Sequence, residues 1–304
     1  METDLSVVKE VKRRHRFDIL LKPTVTGVGI GYKLDRAHKY PPKTPCITVI
    51  VLSKLPPAEL APAERIAPTI ENCLTDVIEA APKRMRFTPP SNGRAERIRP
   101  VPGGVSGGHH DIGLGTLSGW VRDVDTGQPL LLSTWHVLTN FGGGKRGDDI
   151  IQPARLDGGK RPDDTVAYLE RWIEPVFLGP TTGEAKSNLK FLAASGRAET
   201  CLNTVDAAVA RPVGEEMVDW TTLGMPGFEG VAKEQELGSE IVMSGRAGVH
   251  EGFTLLTDLD ILVQEGPRGI ALFTECTCDY FPTSRFFGYG CSLQTLMDLL
   301  RLKP

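Results

Sequence analysis

The stretch 130-LLLSTWHVLTN-140 decides the fold, because it places one histidine shortly after three consecutive leucines. The leucines predict a buried strand, and the glycine-rich run 142-GGGKRG-147 predicts a loop after it. His136 would then stand at the end of a buried strand, where an imidazole can act as a general base. The same pattern also fits a core histidine at the end of an ordinary strand.

The composition is that of a folded protein, with 304 residues of which 40 % are hydrophobic. The net charge is −3 and both signs are mixed along the chain, so the sequence does not indicate a basic surface for binding nucleic acid. No run of about 18 apolar residues is present, so no membrane span is expected. The N-terminus lacks the apolar core of a secretory signal, so we expect a cytoplasmic protein whose six cysteines are reduced.

The hydrophobic pattern changes near residue 100, which predicts an N-terminal α+β unit with its linker over residues 1–100 and a second domain over residues 101–304. The first unit is predicted to contain a helix over 5–16, strands over 24–33 and 46–52, and short helical pieces within 56–80.

The second domain has the pattern of an all-β sandwich or barrel that ends in an amphipathic helix over 292–302. Its short candidate strands cover 114–124, 129–135, 165–172, 205–212, 240–245, 253–264 and 269–277.

Three segments of the second domain resemble the trypsin-like (chymotrypsin-fold) serine peptidases. The run Gly115 to Val121 with the following Leu-Leu-Ser-Thr-Trp-His looks like the strand pair that delivers the catalytic histidine. The segment 203-NTVDAAVA-210 is similar to the strand that presents the catalytic aspartate, and 244-SGRAGVHEGFT-254 resembles the opening hairpin of the second barrel. The resemblance implies a two-barrel fold with His136 and Asp206 as catalytic residues.

Three further segments are similar to a branch of that family with an N-terminal extension: 27-GVGIG-31, 75-TDVIE-79 and 99-RPVPGG-104. The chemistry agrees with the resemblance, because a histidine base needs an acceptor on its second ring nitrogen. We therefore expect a His136 ring nitrogen within about 3 Å of an Asp206 carboxylate oxygen. The competing interpretation is that His136 is a core histidine and Asp206 a turn cap.

The nucleophile of such a triad is missing from the sequence. Its backbone N–H, with that of a nearby glycine, forms the oxyanion hole, and the family supplies it in Gly-Asp-Ser-Gly. This chain contains no such motif. Only 12 residues (304 − 292) follow Ser292, whereas completing a barrel after the nucleophile takes roughly 30. We therefore expect the nucleophile loop and the next strand to be lost between about 276 and 286, which leaves the second barrel incomplete.

Four residues are weaker candidates for the nucleophile: Ser284, Ser292, Cys276 and Cys278. Ser284 lacks flanking glycines, and Ser292 has too little chain after it. A cysteine is a strong nucleophile, but no glycine precedes Cys276 or Cys278, and their acidic neighbours would raise the pKa of a thiol. A strand edge with two reduced thiols is the competing interpretation.

No metal and no cofactor are expected. The Cys-x-Cys spacing of 276–278 is shorter than is usual for zinc, His109 and His110 fit a polar loop, and 27-GVGIG-31 lacks the dinucleotide fingerprint. The resemblance implies a serine endopeptidase by lineage that is impaired by the loss of its serine loop. The alternative is a non-catalytic pseudopeptidase that binds a peptide or protein. Neither nucleic acid nor a membrane is an expected partner, and the sequence indicates no oligomeric state.

Overall fold

The structure, a computed structural model, describes residues 4–34, 39–80, 93–225, 235–282, 286–290 and 293–303. Within these ranges the chain is mostly β and contains four α-helices, α1 (Leu5–Leu20), α2 (Trp135–Leu138), α3 (Thr182–Ala194) and α4 (Leu293–Leu300). The prediction of a mostly β fold with a C-terminal helix is confirmed.

The strands of the first half of the described chain are β1 (Val25–Tyr32), β2 (Pro45–Val51), β3 (Thr69–Ile70), β4 (Cys73–Glu79), β5 (Val101–Gly103), β6 (Val105–Ser106), β7 (Gly108–His109), β8 (Thr116–Leu117), β9 (Gly119–Asp123), β10 (Pro129–Ser133) and β11 (Asp149–Ile151). Those of the second half are β12 (Thr165–Trp172), β13 (Phe177–Gly179), β14 (Leu202–Asn203), β15 (Ala208–Pro212), β16 (Val218–Thr222), β17 (Glu240–Gly245), β18 (Gly248–Glu265), β19 (Gly269–Phe281), β20 (Phe286–Gly290) and β21 (Leu302–Lys303).

Six antiparallel segments close into a barrel. The segment that contains β6 and β7 pairs with β8 at one end and with β11 at the other. From β8 the chain continues into β9, and the pairing then runs through β10, β15 and β12 back to β11. The interior is apolar because alternate residues of each strand face inward. Its buried side chains include Val105, Leu117, Leu131, Ile150, Val166 and Leu169.

The second large assembly is a sheet with the order β13-β19-β18-β1-β2-β4-β3, to which β14, β17 and β20 also pair. Its centre is the pairing of β1, near the N-terminus, with the long strand β18. The sheet therefore joins strands from both sides of the boundary predicted near residue 100. The division into units 1–100 and 101–304 stays a prediction.

The glycines of 27-GVGIG-31 allow this pairing. A Cβ at Gly31 would lie 2.7 Å from Leu256 Cδ2 and 2.7 Å from Thr48 Oγ1, closer than real side chains approach, and Gly29 lies against Leu259. The glycine pattern is thus explained by a close approach between two strands.

Helix α1 covers the sheet and is fixed to it by a buried ion pair. Lys12, whose side chain is 1 % exposed, places its Nζ 2.5 Å from Oδ2 of the fully buried Asp260 on β18. The helix extends past the predicted end at residue 16 to Leu20, shortly before Pro23. The predicted helical pieces in 56–80 are wrong for residues 73–79, which form β4 parallel to β2.

The C-terminal segment returns to the barrel. Strand β21 pairs with β9, and Met297 and Leu300 of α4 pack on Val121 and on the residues that flank Asp206. Among the described residues, no helix has both the length and the apolar character that crossing a membrane would need. The five cysteines in the described ranges form no disulfide with one another, and Cys291 lies outside those ranges.

Candidate active site

His136 is carried by the barrel strand β10 and the short helix that follows it. β10 is paired on both sides, by β9 and β15, which fixes its direction. Thr134 ends the strand in an extended conformation, and α2 begins at Trp135, whose side chain is fully buried. Trp135 therefore anchors the turn, and the neighbouring His136 side chain keeps 25 % of its surface exposed.

Asp206 lies just before β15, the strand that pairs with β10. The residues on either side, Val205 and Ala207, are buried, and they hold this short segment against the barrel. One carboxylate oxygen, Oδ1, accepts a hydrogen bond of 2.7 Å from the backbone N–H of Trp135. The other, Oδ2, lies 2.9 Å from Nδ1 of His136. The expected contact between the two residues is present, although they are 70 residues apart in the chain.

The pair has the chemistry of a general base. Burial lowers the pKa of His136, but the hydrogen bond and negative charge of Asp206, together with Glu265, outweigh burial and raise the pKa above its ordinary value. When Nδ1–H donates to Asp206, Nε2 is the free acceptor that can take a proton. In the structure Nε2 lies 3.4 Å from Thr134 Oγ1.

Glu265 is a third member of the site that the sequence did not reveal. It ends β18, and its Oε2 lies 3.7 Å from Nδ1 of His136. Its side chain is 9 % exposed. Burial, and then the charge of Asp206, raise the pKa of Glu265 to about 7, and the charge of His136 opposes this rise. In the sequence, Glu265 reads as part of a turn, because only the approach of the sheet to the barrel brings it to His136.

The turn of residues 265–269, here called the covering turn, is held against the barrel. Arg268 donates a hydrogen bond of 2.9 Å to Glu174, which also accepts one of 3.3 Å from the indole N–H of Trp135. Phe141 stacks on the His136 ring with centroids 5.6 Å apart, and the covering turn passes so close to Phe141 that a Cβ at Gly266 would lie 2.6 Å from its ring. These contacts bury Glu265 beside the histidine.

Two of the four candidate nucleophiles, Cys276 and Cys278, lie in the described ranges, and neither is a hydrogen-bond partner of the His136 ring. There, the hydrogen-bond and ion-pair partners of His136 are Thr134, Asp206 and Glu265. Ser284 and Ser292 lie outside the described residues.

Cys276 and Cys278 are buried on β19, in a cluster that contains Leu256 and Leu259. Cys276 lies seven residues beyond the start of β19, roughly 20 Å along an extended strand from the covering turn. Burial, and then the charge of Asp279, raise the pKa of Cys278 to about 12. The strand carries both cysteines into the sheet, which favours the competing interpretation of two thiols on a strand over a nucleophile beside His136.

His109 and His110 engage their ring nitrogens with protein groups. Nε2 of His109 lies 3.1 Å from Asp148 Oδ2, and its Nδ1 accepts from the backbone N–H of Asp111. His110 contacts the carbonyl of Asp149 and the guanidinium of Arg161. Hydrogen bonds to Asp148, Asp149 and Arg161 therefore hold these two histidines in place.

Comparison with known proteins gives likenesses to solved structures only. No family model and no curated protein matches the chain. Among solved structures, the crystal structure of Thermobifida fusca Protease A is similar with a TM-score of 0.41 and 10 % sequence identity, over 67 % of this chain and 97 % of that chain. The likeness is too weak to decide fold or function.

Proposed function

We propose that the chain is a trypsin-like serine peptidase by descent that has kept its base and lost its nucleophile. The observation that carries the proposal is the position of the pair in the barrel. His136 follows β10 and Asp206 precedes β15, and these two strands are direct neighbours in the closed barrel. The Asp206 carboxylate bridges the His136 ring and the backbone of Trp135, which is how a carboxylate orients a histidine base.

A base without a nucleophile is a poor catalyst of acyl transfer. Loss of the nucleophile of a triad costs about 10⁶ in turnover, and the oxyanion hole normally comes from the same loop. The covering turn also places the buried side chain of Glu265 beside Nδ1 of the histidine.

Peptide hydrolysis tests this proposal. We expect the wild-type protein and the His136→Ala variant to hydrolyse casein and short peptide substrates at the same background rate. Hydrolysis by the wild-type protein that is lost in His136→Ala would show that a nucleophile exists, and would overturn the proposal.

The alternative, a pseudopeptidase that binds an extended peptide or protein segment, is supported by the edge of the second sheet. Strand β17 is paired only with β18 among the described residues. A cavity of about 920 Å³ beside it is lined by residues that include Val242, Val249 and Phe253. An unpaired strand edge next to a groove that exposes apolar side chains between Glu240 and Glu251 is a surface to which an extended peptide can add as a further strand.

Fluorescence anisotropy with labelled casein, an unfolded chain, tests the alternative. Val242→Lys should weaken binding, because Val242 lies on the edge strand and is 47 % exposed. Val124→Lys is the matched control, since Val124 is also 47 % exposed but lies outside any strand. Equal binding by both variants, or no binding by the wild-type protein, would contradict the alternative.

A further inference from the structure

Three metal-ligating side chains meet at the candidate active site. Nδ1 of His136 lies 2.9 Å from Asp206 Oδ2 and 3.7 Å from Glu265 Oε2. One ligand atom from each of the three side chains lies within 4.8 Å of the other two. They come from three separate segments of the chain, the end of β10, the segment before β15 and the end of β18.

Glu265 is the unusual member of this group. Its side chain is about nine-tenths buried. Among the described residues, its carboxylate has one polar contact, with Nδ1 of His136 at 3.7 Å, and this distance is too long for a hydrogen bond. A buried carboxylate is normally paired or hydrogen-bonded, because removing its charge from water is costly. Here a second carboxylate, Asp206, lies close by, so the two negative charges face a single imidazole.

The separations suit a tetrahedral metal ion. Zn²⁺ binds histidine nitrogen and carboxylate oxygen at about 2.0–2.2 Å, so two ligands at the tetrahedral angle lie about 3.4 Å apart. The observed separations of 2.9 Å and 3.7 Å lie on either side of this value. Two carboxylates would neutralise the charge of a divalent cation, and three protein ligands would leave one position for water.

The surrounding groups also fit. If a metal takes Nδ1 of His136, its proton must reside on Nε2, and Nε2 then needs an acceptor. Thr134 Oγ1 lies 3.4 Å from Nε2 and can accept a hydrogen bond from the Nε2–H after a small movement. The second oxygen of Asp206 is already held by the backbone N–H of Trp135. His136 and Asp206 would therefore each be oriented by a hydrogen bond at its second polar atom.

We propose that His136, Asp206 and Glu265 bind one divalent transition-metal ion, with Zn²⁺ as the best match to this donor set. The inference goes beyond the proposed function, because a bound ion would occupy the nitrogen that Asp206 orients.

Metal binding is tested on protein stripped with EDTA and then freed of chelator. Calorimetric titration with Zn²⁺ near neutral pH should show one site per chain with a Kd below about 100 µM. Glu265→Gln should weaken binding at least about 10-fold, and His136→Ala should abolish it. Titration with Co²⁺ should give the visible absorption bands of a tetrahedral ion in the wild-type protein, and these bands should be lost in His136→Ala.

The matched control is His110→Ala, which removes a histidine from the separate group of His109, His110 and Asp111. It should bind as the wild-type protein does, and circular dichroism should show that every variant is folded. The proposal is overturned if the wild-type protein binds no Zn²⁺, if His136→Ala and Glu265→Gln bind it unchanged, or if His110→Ala alone abolishes binding. None of these results depends on peptide hydrolysis, so the proposed function stands or falls separately.

Discussion

Replacing Glu265 by glutamine should make the protein more stable at high pH and leave it almost unchanged at low pH. Glu265 is 9 % exposed and faces His136 and Asp206. Burial and the charge of Asp206 raise its pKa from 4.5 to about 7. Glutamine has nearly the same shape and cannot ionise, so the variant removes the charge while it keeps the packing.

The sign of the effect follows from proton binding. Between pH 4.5 and about 7 the folded protein keeps the Glu265 proton while the unfolded chain releases it. The free energy of unfolding therefore falls as the pH rises through this window. The rise in the pKa of His136 acts in the same direction. Its contribution to the free energy of unfolding is present below pH 6.5 and is lost as the pH rises through the pKa of the folded protein. At 1.36 kcal/mol for each pKa unit, the Glu265 part amounts to about 3 kcal/mol.

Urea unfolding followed by tryptophan fluorescence, with EDTA present, measures this difference. Between about pH 4.5 and pH 8 the stability of Glu265→Gln relative to wild type should increase by up to about 3 kcal/mol. The control is Glu240→Gln, on an exposed position of β17, which should leave the pH dependence unchanged. A difference between Glu265→Gln and wild type that does not change with pH, or that favours wild type at high pH, would refute the burial of this carboxylate beside Asp206.

Two other predictions test the contact of Asp206 with His136 and the packing of helix α4 beside the Asp206 segment. Asp206→Asn should lower the pKa of His136 in an NMR titration of its ring proton, because the carboxylate of Asp206 raises that pKa; an unchanged or higher value would contradict the contact. Leu300→Ala should reduce the free energy of unfolding by about 2–5 kcal/mol, because Leu300 is 2 % exposed and packs beside the Asp206 segment. Leu299→Ala is the control, since Leu299 is 47 % exposed and its loss should cost less than about 0.5 kcal/mol; equal losses would disprove the packing of α4.

Local pattern indicated a buried strand before His136 and a small apolar strand after Asp206. That these two strands carry a histidine and an aspartate in contact was predicted from the resemblance to a known family, and the two strands pair in the structure. Helix α3 was not predicted, because only Ala185 and Leu189 of its 13 residues are buried and its apolar pattern is weak.

The second sheet could not be predicted from local pattern. Pairing of β1 with β18 joins residues more than 200 positions apart, and nothing in either segment indicates its partner. Glu265 depends on this pairing, since it meets His136 only where β18 ends against the barrel. For the same reason the sequence left Cys276 among the weaker nucleophile candidates, whereas the strand carries it into the core of the sheet.

The central proposal is that the chain keeps the histidine and aspartate of a serine peptidase, His136 and Asp206, and has no nucleophile for the histidine to activate. Intact mass spectrometry after incubation with a fluorophosphonate tests this most directly, because the reagent forms a stable bond only with a serine that a nearby base activates. We predict no adduct on the wild-type protein, and no adduct from a thiol-directed probe that depends on His136. A stoichiometric fluorophosphonate adduct on the wild-type protein, mapped to Ser284 or Ser292 and lost in His136→Ala, would contradict the account.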